Sequence, residues 1–185
     1  MSIFNGSPGG KTRGLGEIII RRAPGKRSQA ILQAGPLRFR AAIGRSGITA
    51  CKREGDGATP RAAMRLLYGY TRSDHVRLPP TALAMRRIRP DMLWCDAPAS
   101  PSYNRPVRAP FAASHEKLNR DDDLYDVCIV MDWNVASRRR GAGSAIFFHL
   151  AKPGYAPTEG CVALSFADMR RLLPHLGHHT RIRVL

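Results

Sequence analysis

Apolar residues recur along this chain mostly at every second position or in short continuous runs, a pattern typical of β-strands rather than helices. Residues 17–22 contain three consecutive isoleucines, and residues 37–43 alternate apolar side chains with Arg38 and Arg40. A Gly-Pro pair separates the latter run from residues 28–34. The three runs predict an opening antiparallel meander whose outer face is basic.

The rest of the chain continues in short strand-like runs divided by turn-forming segments. Residues 47–60 predict a long turn, residues 71–91 a surface excursion, and residues 98–110 a proline-dense connection. A short helix is an alternative to a strand for residues 64–68. Further strands are predicted at residues 64–68, 92–96, 127–133, 144–150, 161–164 and 181–185.

One helix is predicted near the C-terminus. Ser165 suits its N-cap, and Asp168 follows three residues later, as in a capping box. Pro174 marks the end of this helix. The expected fold is mostly β with one or two short α-helices, formed by one domain over residues 17–185. Residues 1–16, rich in Gly and Ser, are expected to form a flexible N-terminal segment.

Length and composition exclude several classes of protein. A chain of 185 residues with 43% apolar and 24% charged residues can bury a sizeable core, which excludes a disordered protein. No run of 18 apolar residues is present, so no membrane-spanning segment is predicted. Residues 1–16 lack the apolar region of a secretory signal, which leaves a cytoplasmic location open. A monomer is expected.

The chain carries a formal net charge of +16 at pH 7, and the excess lies in its first half. Residues 1–90 hold 18 Lys and Arg against 4 Asp and Glu, whereas residues 91–185 hold 12 against 10. Such an excess predicts attraction to nucleic acid, anionic lipid or an anionic cell-wall polymer. The basic residues are scattered without a nucleic-acid-binding motif, so nucleic acid is the less favoured partner. A solvated basic surface without a dedicated site is the alternative.

Cys51, Cys95, Cys128 and Cys161 are widely spaced without a CxxC motif, which excludes a zinc ribbon and a thioredoxin-type redox site. Two disulfides are conceivable in an oxidising compartment, although Cys128 lies within an apolar run that predicts a core position. The histidines near the C-terminus have no spaced partner for a metal. Neither a metal site nor a cofactor is expected.

Cys161 and His149 are the candidates for catalysis, because a Pro- and Gly-containing loop joins the strand-like runs that carry them. Thiolate, the reactive form of a cysteine, is scarce at its usual pKa of about 8.5. A neighbouring imidazolium is expected to lower that pKa, so His149 is predicted to activate Cys161. Gly160 leaves the sulfur open to an acyl group, and backbone amides near Gly160 and Cys161 could hold an oxyanion. The pattern favours acyl transfer through a thioester that an amine or water releases.

Two segments around these residues resemble the active-site region of the L,D-transpeptidases, the family with a YkuD-like catalytic domain. They are residues 143–149, Gly-Ser-Ala-Ile-Phe-Phe-His, and residues 157–164, Pro-Thr-Glu-Gly-Cys-Val-Ala-Leu. Residues 52–60 resemble a strand-connecting segment of that family. Residues 103–106 (Tyr-Asn-Arg-Pro) and 114–116 (Ser-His-Glu) resemble one branch of it, so the resemblance covers about residues 17–185.

The resemblance implies a β-sandwich-like catalytic fold with Cys161 as nucleophile, His149 as its base and the Leu150 carbonyl orienting the imidazole. The family pattern has a histidine before the Gly-Cys pair, where this chain has Glu159, and the spacer after His149 is shorter than usual. The implied substrate is a peptidoglycan stem peptide cut after meso-diaminopimelate. Its acyl group passes to the amine of diaminopimelate or of L-alanine, and the implied location is the periplasm or cell envelope.

Substrate contacts are expected from the resembling segments and from nearby arginines. Arginine binds carboxylates in a bidentate fork, so Arg105 and the turn arginines around Arg138 are candidates for the stem-peptide carboxylates. His115 and Glu116 suit proton relay or substrate binding. The expected substrate-binding residues are Tyr103, Asn104, Arg105, His115, Glu116, Arg138, Thr158 and Glu159.

The same residues are compatible with two other functions. Release of the thioester by water instead of an amine would make the protein an L,D-carboxypeptidase or amidase that hydrolyses muropeptides. The basic surface would also suit a polyanion-binding module in which Cys161 is incidental.

Overall fold

The structure, a computed structural model, describes residues 14–185. Over these residues it contains fourteen strands and one α-helix, α1 (Phe166–Leu172). In chain order the strands are β1 (Glu17–Arg22), β2 (Gln29–Ala34), β3 (Leu37–Ala42), β4 (Ile48–Thr49), β5 (Thr59–Pro60), β6 (Ala63–Thr71), β7 (Met85–Arg87), β8 (Met92–Cys95), β9 (Arg105–Arg108), β10 (His115–Lys117), β11 (Val127–Met131), β12 (Phe147–Leu150), β13 (Val162–Leu164) and β14 (Arg181–Val184).

Most of the predicted flexible N-terminal segment, residues 1–13, lies outside the described residues. Just before β1, the Leu15 N–H donates to the carbonyl of His175 at 2.8 Å. The Thr180 hydroxyl in turn donates to the carbonyl of Leu15 at 2.7 Å. These bonds attach the beginning of the described chain to the segment that precedes β14.

Eight strands form one sheet that closes on itself into a ring. Around the ring they follow the order β11, β12, β13, β3, β2, β1, β14 and β6, and β6 also pairs with β11. The pairs β1–β14 and β12–β13 are parallel, and the other pairs of the ring are antiparallel. β7 adds a further parallel pairing to the second half of β6. The predicted opening meander of β1, β2 and β3 is confirmed.

The main core consists of side chains from all eight strands of the ring. Alternation along β1 buries Ile18 and Ile20 completely and leaves Ile19 half-buried. The helix α1 adds Met169 and Leu172 to the same core. Burying one such aliphatic side chain is worth about 1.5–3 kcal/mol, so this core supplies much of the stability of the ring.

The helix begins and ends close to the predicted positions. Ser165 is the N-cap, and its hydroxyl accepts the N–H of Asp168 at 3.1 Å. This bond satisfies one of the amides that a helix leaves free in its first turn. The helix ends at Leu172, and Pro174 lies in the 3-10 turn that follows.

A smaller sheet, ordered β10–β8–β9, covers the outer side of β11 and β12. Trp94 of β8 packs edge-on against Phe147 of β12, with ring centroids 5.2 Å apart. Because β11 lies between the two layers, all five of its residues are buried. This double burial explains why its sequence is an uninterrupted apolar run. Cys161 belongs to the same outer cluster of buried side chains.

The strand predictions hold for the apolar runs and fail in polar segments. Residues 64–68 belong to β6, so the strand alternative is confirmed there. The two short strands β9 and β10, in the proline-dense segment and the Ser-His-Glu stretch, were not predicted, because neither shows apolar alternation. Pairing with β8 forms both. The predicted long turn also contains the two-residue strands β4 and β5.

The prediction of a mostly β fold with a short α-helix is confirmed. It consists of the closed ring and the smaller sheet that covers one side of it. Within residues 14–185, no helix combines the length and the apolar character needed to cross a membrane.

Candidate active site

Cys161 is positioned by the parallel pairing of β12 with β13. Phe148 pairs with Val162, and side chains alternate along a strand, so Phe147 and Cys161 both face the outer layer. The Cys161 Sγ accepts the backbone N–H of Phe147 at 3.3 Å, and the thiol donates to the carbonyl of Ala145 at 3.3 Å. These two contacts hold the thiol, which is 8% exposed, in one orientation.

His149 lies two residues beyond Phe147 on the same face of β12. Its Nδ1 lies 2.8 Å from the carbonyl of Leu150, so Nδ1 carries the proton and donates it. This is the hydrogen bond that the family resemblance implies. The imidazole, 6% exposed, also packs edge-on against Tyr125 with ring centroids 5.2 Å apart. The bond at Nδ1 leaves Nε2 unprotonated, which is the form that can accept a proton.

Cys161 and His149 line one cavity of about 370 Å³. Its walls come from four parts of the chain: the turn after β4, the ends of β8 and β10, the segment that leads into β11, and the loops on either side of β12. The other lining residues are Glu54, Gly55, Asp96, Glu116, Arg120, Leu124, Tyr125, Ser144, Ala145, Lys152, Ala156, Pro157, Thr158 and Glu159.

Burial shifts the pKa values of both catalytic candidates toward their neutral forms. It raises the pKa of Cys161 to about 12, although the Phe147 N–H partly favours the thiolate. Burial lowers the pKa of His149 to about 4. The prediction that an imidazolium lowers the thiol pKa is therefore wrong: at pH 7 the structure holds a neutral thiol and a neutral imidazole. Such a pair reacts when the base removes the thiol proton during attack.

The loop before Cys161 is fixed by a threonine and a glycine. The Thr158 hydroxyl donates to the carbonyl of Cys161 at 2.7 Å and accepts the Gly160 N–H at 3.2 Å. Gly160 has a φ of 132°, and a Cβ there would lie 2.8 Å from the carbonyl oxygen of Ala58. Only glycine fits this close approach without rearrangement. The Gly160 N–H is hydrogen-bonded within the loop, so of the two amides suggested for the oxyanion, only that of Cys161 is left.

The turn after β4 contacts the same loop from the other side. The Thr59 hydroxyl accepts the Gly44 N–H at 2.9 Å and lies 3.4 Å from the Cys161 carbonyl, to which it donates. Lys52 is buried nearby, forms an ion pair with Asp56, and its charge favours the Cys161 thiolate. This turn therefore supports both the backbone of the nucleophile and its electrostatic surroundings.

The comparison with protein families agrees with this geometry. A sequence model of the L,D-transpeptidase catalytic domain, YkuD, matches residues 18–184, nearly the whole chain. This chain belongs to the YkuD family. Searches of curated proteins and of solved structures returned no significant match. Membership indicates a transpeptidase-family enzyme with peptidoglycan as its substrate, in a family that is typically associated with the cell wall.

Two of the expected substrate-binding residues of this YkuD domain are internal supports. Asn104 is 1% exposed; its Oδ1 accepts Trp94 Nε1 at 3.0 Å and the Ala145 N–H at 3.1 Å, and its Nδ2 donates to the Trp133 carbonyl. The buried Tyr103 hydroxyl donates to Glu54. Asn104 thus holds Ala145, whose carbonyl accepts the Cys161 thiol. The expectation of direct substrate contact is wrong for these two residues, because their polar groups are enclosed by the protein.

Three further candidates do not line the cavity with Cys161. Arg105 is exposed on β9, and the Arg138 guanidinium donates to the carbonyl of Pro101 at 3.3 Å. His115 accompanies Phe111 in a separate cavity, and its Nδ1 donates to the carbonyl of Ala113 at 2.7 Å. For Arg105, Arg138 and His115, the sequence suggested suitable chemistry but could not show the direction of the side chains.

Thr158, Glu159 and Glu116 do line the cavity. The side chain of Glu159 is 78% exposed and pairs with Arg45 at the rim. Glu116 Oε1 accepts Arg120 Nη1 at 2.8 Å and the Tyr125 hydroxyl at 3.2 Å. Burial raises the pKa of Glu116. Of the predicted substrate-binding side chains, Glu116 is therefore the charged group set most deeply into the cavity wall.

The sequence did not indicate six charged or polar groups of the cavity: Glu54, Asp96, Arg120, Tyr125, Ser144 and Lys152. Glu54 Oε2 accepts the Ser144 hydroxyl at 2.8 Å as well as that of Tyr103. A signal was available for Glu54, since it lies in the segment of residues 52–60 that resembles the family. Asp96 and Arg120 lie in segments without a recognisable motif, so only the fold reveals them.

One group of residues outside the cavity has metal-ligating side chains. His75, Asp123 and Asp126 bring one ligand atom each within 4.8 Å of one another. However, His75 Nδ1 donates to Asp126 at 3.2 Å, and Arg72 Nη2 lies 2.7 Å from His75 Nε2. These bonds already satisfy the imidazole, and a guanidinium beside it opposes a bound cation. The group is better described as an ion-pair network.

All four cysteines lie in the described part of the chain, and all four are free thiols there. Cys95 and Cys128 are completely buried, as predicted for Cys128, whereas Cys51 is exposed. Of the four, Cys161 alone lines the cavity with His149.

Proposed function

We propose that this protein is a cysteine L,D-transpeptidase that cross-links peptidoglycan stem peptides through a thioester on Cys161. The observation that supports the proposal most strongly is the shared cavity. It contains one thiol and one imidazole, and the bond from Nδ1 to the Leu150 carbonyl places the imidazole proton on Nδ1, which makes Nε2 the nitrogen that can take the thiol proton.

In the first step, the Cys161 sulfur attacks the carbonyl carbon of the diaminopimelate–D-amino acid bond while its proton passes to His149 Nε2. The Cys161 N–H is the proposed donor to the oxyanion, since the Gly160 N–H is occupied. The carbon–nitrogen bond then breaks, and the leaving amine takes the proton from the imidazolium. A thioester and a free D-amino acid result.

In the second step, an amine of another stem peptide attacks the thioester carbonyl. The carbon–sulfur bond breaks, the amine proton passes through His149 to the sulfur, and the thiol is restored. The acceptor is the amine of diaminopimelate or of L-alanine. Attack by water instead would give an L,D-carboxypeptidase, and the products distinguish the two reactions.

The proposed location is the periplasm or cell envelope, where stem peptides are cross-linked. The exposed arginines of β3, Arg38 and Arg40, lie on the basic outer face of the meander. That face suits transient attraction to an anionic wall polymer, and salt would weaken such attraction. The proposed enzyme acts as a monomer and without a cofactor.

The test is product formation from diaminopimelate-containing muropeptides, followed by mass spectrometry. Wild-type protein should give cross-linked dimers, and Cys161→Ala should give neither dimers nor shortened monomers. Cys51→Ala, which changes an exposed cysteine, is the matched control and should retain activity. Shortened monomers without dimers would identify a hydrolase, and unchanged products from Cys161→Ala would refute the thioester reaction.

A further inference from the structure

The catalytic cavity is acidic although the protein is strongly basic. Its lining includes four carboxylates and two cationic side chains, whereas the whole chain carries a formal charge of +16. The four carboxylates are Glu54, Asp96, Glu116 and Glu159, and the two cations are Arg120 and Lys152. A concave site with an excess of one charge sign attracts ligands of the opposite sign.

Two of these carboxylates are already committed to other contacts. Glu54 accepts two hydroxyls of the protein, and Glu159 pairs with Arg45 at the exposed rim. Glu54 thus holds Tyr103 and Ser144 in place, and Glu159 faces outward at the rim. We refer to the remaining two, Asp96 and Glu116, as the acidic wall.

The carboxylate of Asp96 is the least satisfied group in the cavity. Its Oδ1 is buried and has no hydrogen-bond partner in the described chain. A buried acceptor without a donor costs free energy, so the half-buried Asp96, which lines the cavity, is incompletely hydrogen-bonded. Asp96 directly follows β8, and its N–H bonds to Ser114 just before β10, so it lies close to Glu116 on that strand.

The charge of Glu116 is only partly neutralised within the protein. Its hydrogen bonds from Arg120 and Tyr125 both fall on Oε1. Arg120 also makes two bonds of 2.8 Å to Asp122, so one guanidinium serves two carboxylates. The ring of Tyr125 packs on His149, which joins this side of the cavity to the catalytic base. The acidic wall thus keeps excess negative charge next to the reacting groups.

Building on the proposed transpeptidase function, we propose that Asp96 and Glu116 form the acceptor subsite, where they bind the protonated primary amine of the acyl acceptor. An ammonium supplies three N–H donors and one positive charge, which suits two neighbouring carboxylates of the cavity lining, one of them incompletely hydrogen-bonded. The subsite would favour an amine over water and so direct the thioester toward cross-linking instead of hydrolysis.

The proton balance of the transfer follows from this placement. The bound ammonium gives one proton to a carboxylate of the acidic wall, and the resulting amine attacks the thioester carbonyl. The nitrogen then loses a second proton to His149 Nε2 while the carbon–sulfur bond breaks. The leaving thiolate takes that proton from the imidazolium, and the carboxylic acid returns its proton to solvent.

The experiment separates charge recognition from reactivity. Wild type and the variants Asp96→Asn, Glu116→Gln and their combination are acylated with a muropeptide donor. The thioester is then offered free diaminopimelate, a cationic amine, or hydroxylamine, a nucleophile that is largely uncharged at neutral pH. Surface variants Asp91→Asn and Glu17→Gln are the matched controls, since their carboxylates pair with Arg108 and Arg183 outside the cavity.

The expected result is a loss of selectivity for the charged amine, measured as a product ratio on the acylated protein. The ratio of diaminopimelate adduct to hydrolysed donor should fall about tenfold or more in the double variant, as for a lost charged hydrogen bond. The hydroxylamine ratio should stay within about twofold, because an uncharged nucleophile makes no charge–charge contact with the acidic wall. The surface variants should match wild type.

The outcomes distinguish the two proposals. An acylated double variant with unchanged selectivity for diaminopimelate overturns the acceptor subsite and leaves the thioester reaction standing. A wild-type protein that is never acylated overturns both. If the double variant does not fold, Asp96→Asn alone carries the same test, since Asp96 Oδ1 has no partner to lose.

Discussion

The two sides of the cavity are built in opposite ways. The reactive side, here Ala145, His149, Thr158, Gly160 and Cys161, comes from one stretch of about twenty residues and holds neutral groups in fixed hydrogen bonds. The acidic wall comes from the residue that follows β8 and from β10, and it carries charge without complete pairing. Under the two proposals, chemistry is preorganised on the ring, whereas selection among nucleophiles falls to the covering layer.

A neutral reactive side has a clear physical reason. Two buried ionised groups would each have to be removed from water, and burial instead keeps the thiol and the imidazole uncharged. Charge then develops only when a substrate carbonyl is in place. The proposed partner of the acidic wall is an acceptor amine that is already charged in water, so the charge of the wall would act before the reaction begins.

The sharpest test of the reactive side is His149→Ala. Without a base at this position, the thiol retains a pKa far above neutral, so acylation should slow by about 10²–10⁴-fold. Stopped-flow or quenched mass spectrometry of the acyl-enzyme measures this rate. His178→Ala, at an exposed position, is the control. An unchanged rate in His149→Ala would remove the histidine from the mechanism.

The second test uses the pH dependence of stability. The pKa of His149 is about 4 in the folded protein and about 6.5 in an unfolded chain, so the unfolded state binds the proton first. The free energy of unfolding should therefore fall by about 3 kcal/mol as the pH falls from about 6.5 to 4. Denaturant titrations of wild type and His149→Gln measure it. The same pH slope in both proteins would show that His149 is not buried in its neutral form.

The third test asks whether the covering layer supports the reactive side. Asn104→Ala removes three hydrogen bonds and leaves buried groups of Trp94 and Trp133 without partners. Unfolding free energy should fall by about 2–4 kcal/mol, as expected when buried polar groups lose their partners. Thermal or chemical denaturation measures the loss. A fully stable variant with unchanged acylation would show that Ala145 needs no such support.

The smallest effects are expected for the arginines outside the cavity. Arg105→Ala and Arg138→Ala should change the rate of cross-linking by less than about threefold, since long-range attraction between solvent-exposed charges is screened. Steady-state rates with muropeptides at physiological salt measure this. A tenfold rise in KM for either variant would show that the substrate also contacts these arginines outside the cavity.

The reactive side could be predicted from sequence better than the acidic wall. Cys161 and His149 lie on two consecutive apolar runs, so strand periodicity alone places them on neighbouring strands. Asp96 is brought to Glu116 by pairing of β8 with β10, and the polar sequence of β10 gives no sign of a strand. The sequence also could not predict the direction of the pKa shifts of Cys161 and His149. The burial of the Cys161 thiol depends on Trp94, Leu118 and Tyr125, which lie in distant segments of the chain.

Burial likewise decides the role of the residues that resemble a branch of the family. The Tyr-Asn-Arg-Pro segment contains polar side chains of the kind that bind ligands, yet Tyr103 and Asn104 are enclosed and Arg105 is exposed. No local pattern separates these outcomes, because all three depend on how the smaller sheet packs on the ring.

The most direct test of the central claim is the intact mass of the protein after mixing with a diaminopimelate-containing muropeptide and quenching in acid. A thioester reaction predicts an added acyl mass that maps to Cys161 after digestion, while Cys51, Cys95 and Cys128 stay unmodified. The adduct should disappear when an amine acceptor is supplied. Formation of product without any adduct on Cys161, or an adduct on another cysteine that turns over, would contradict the account.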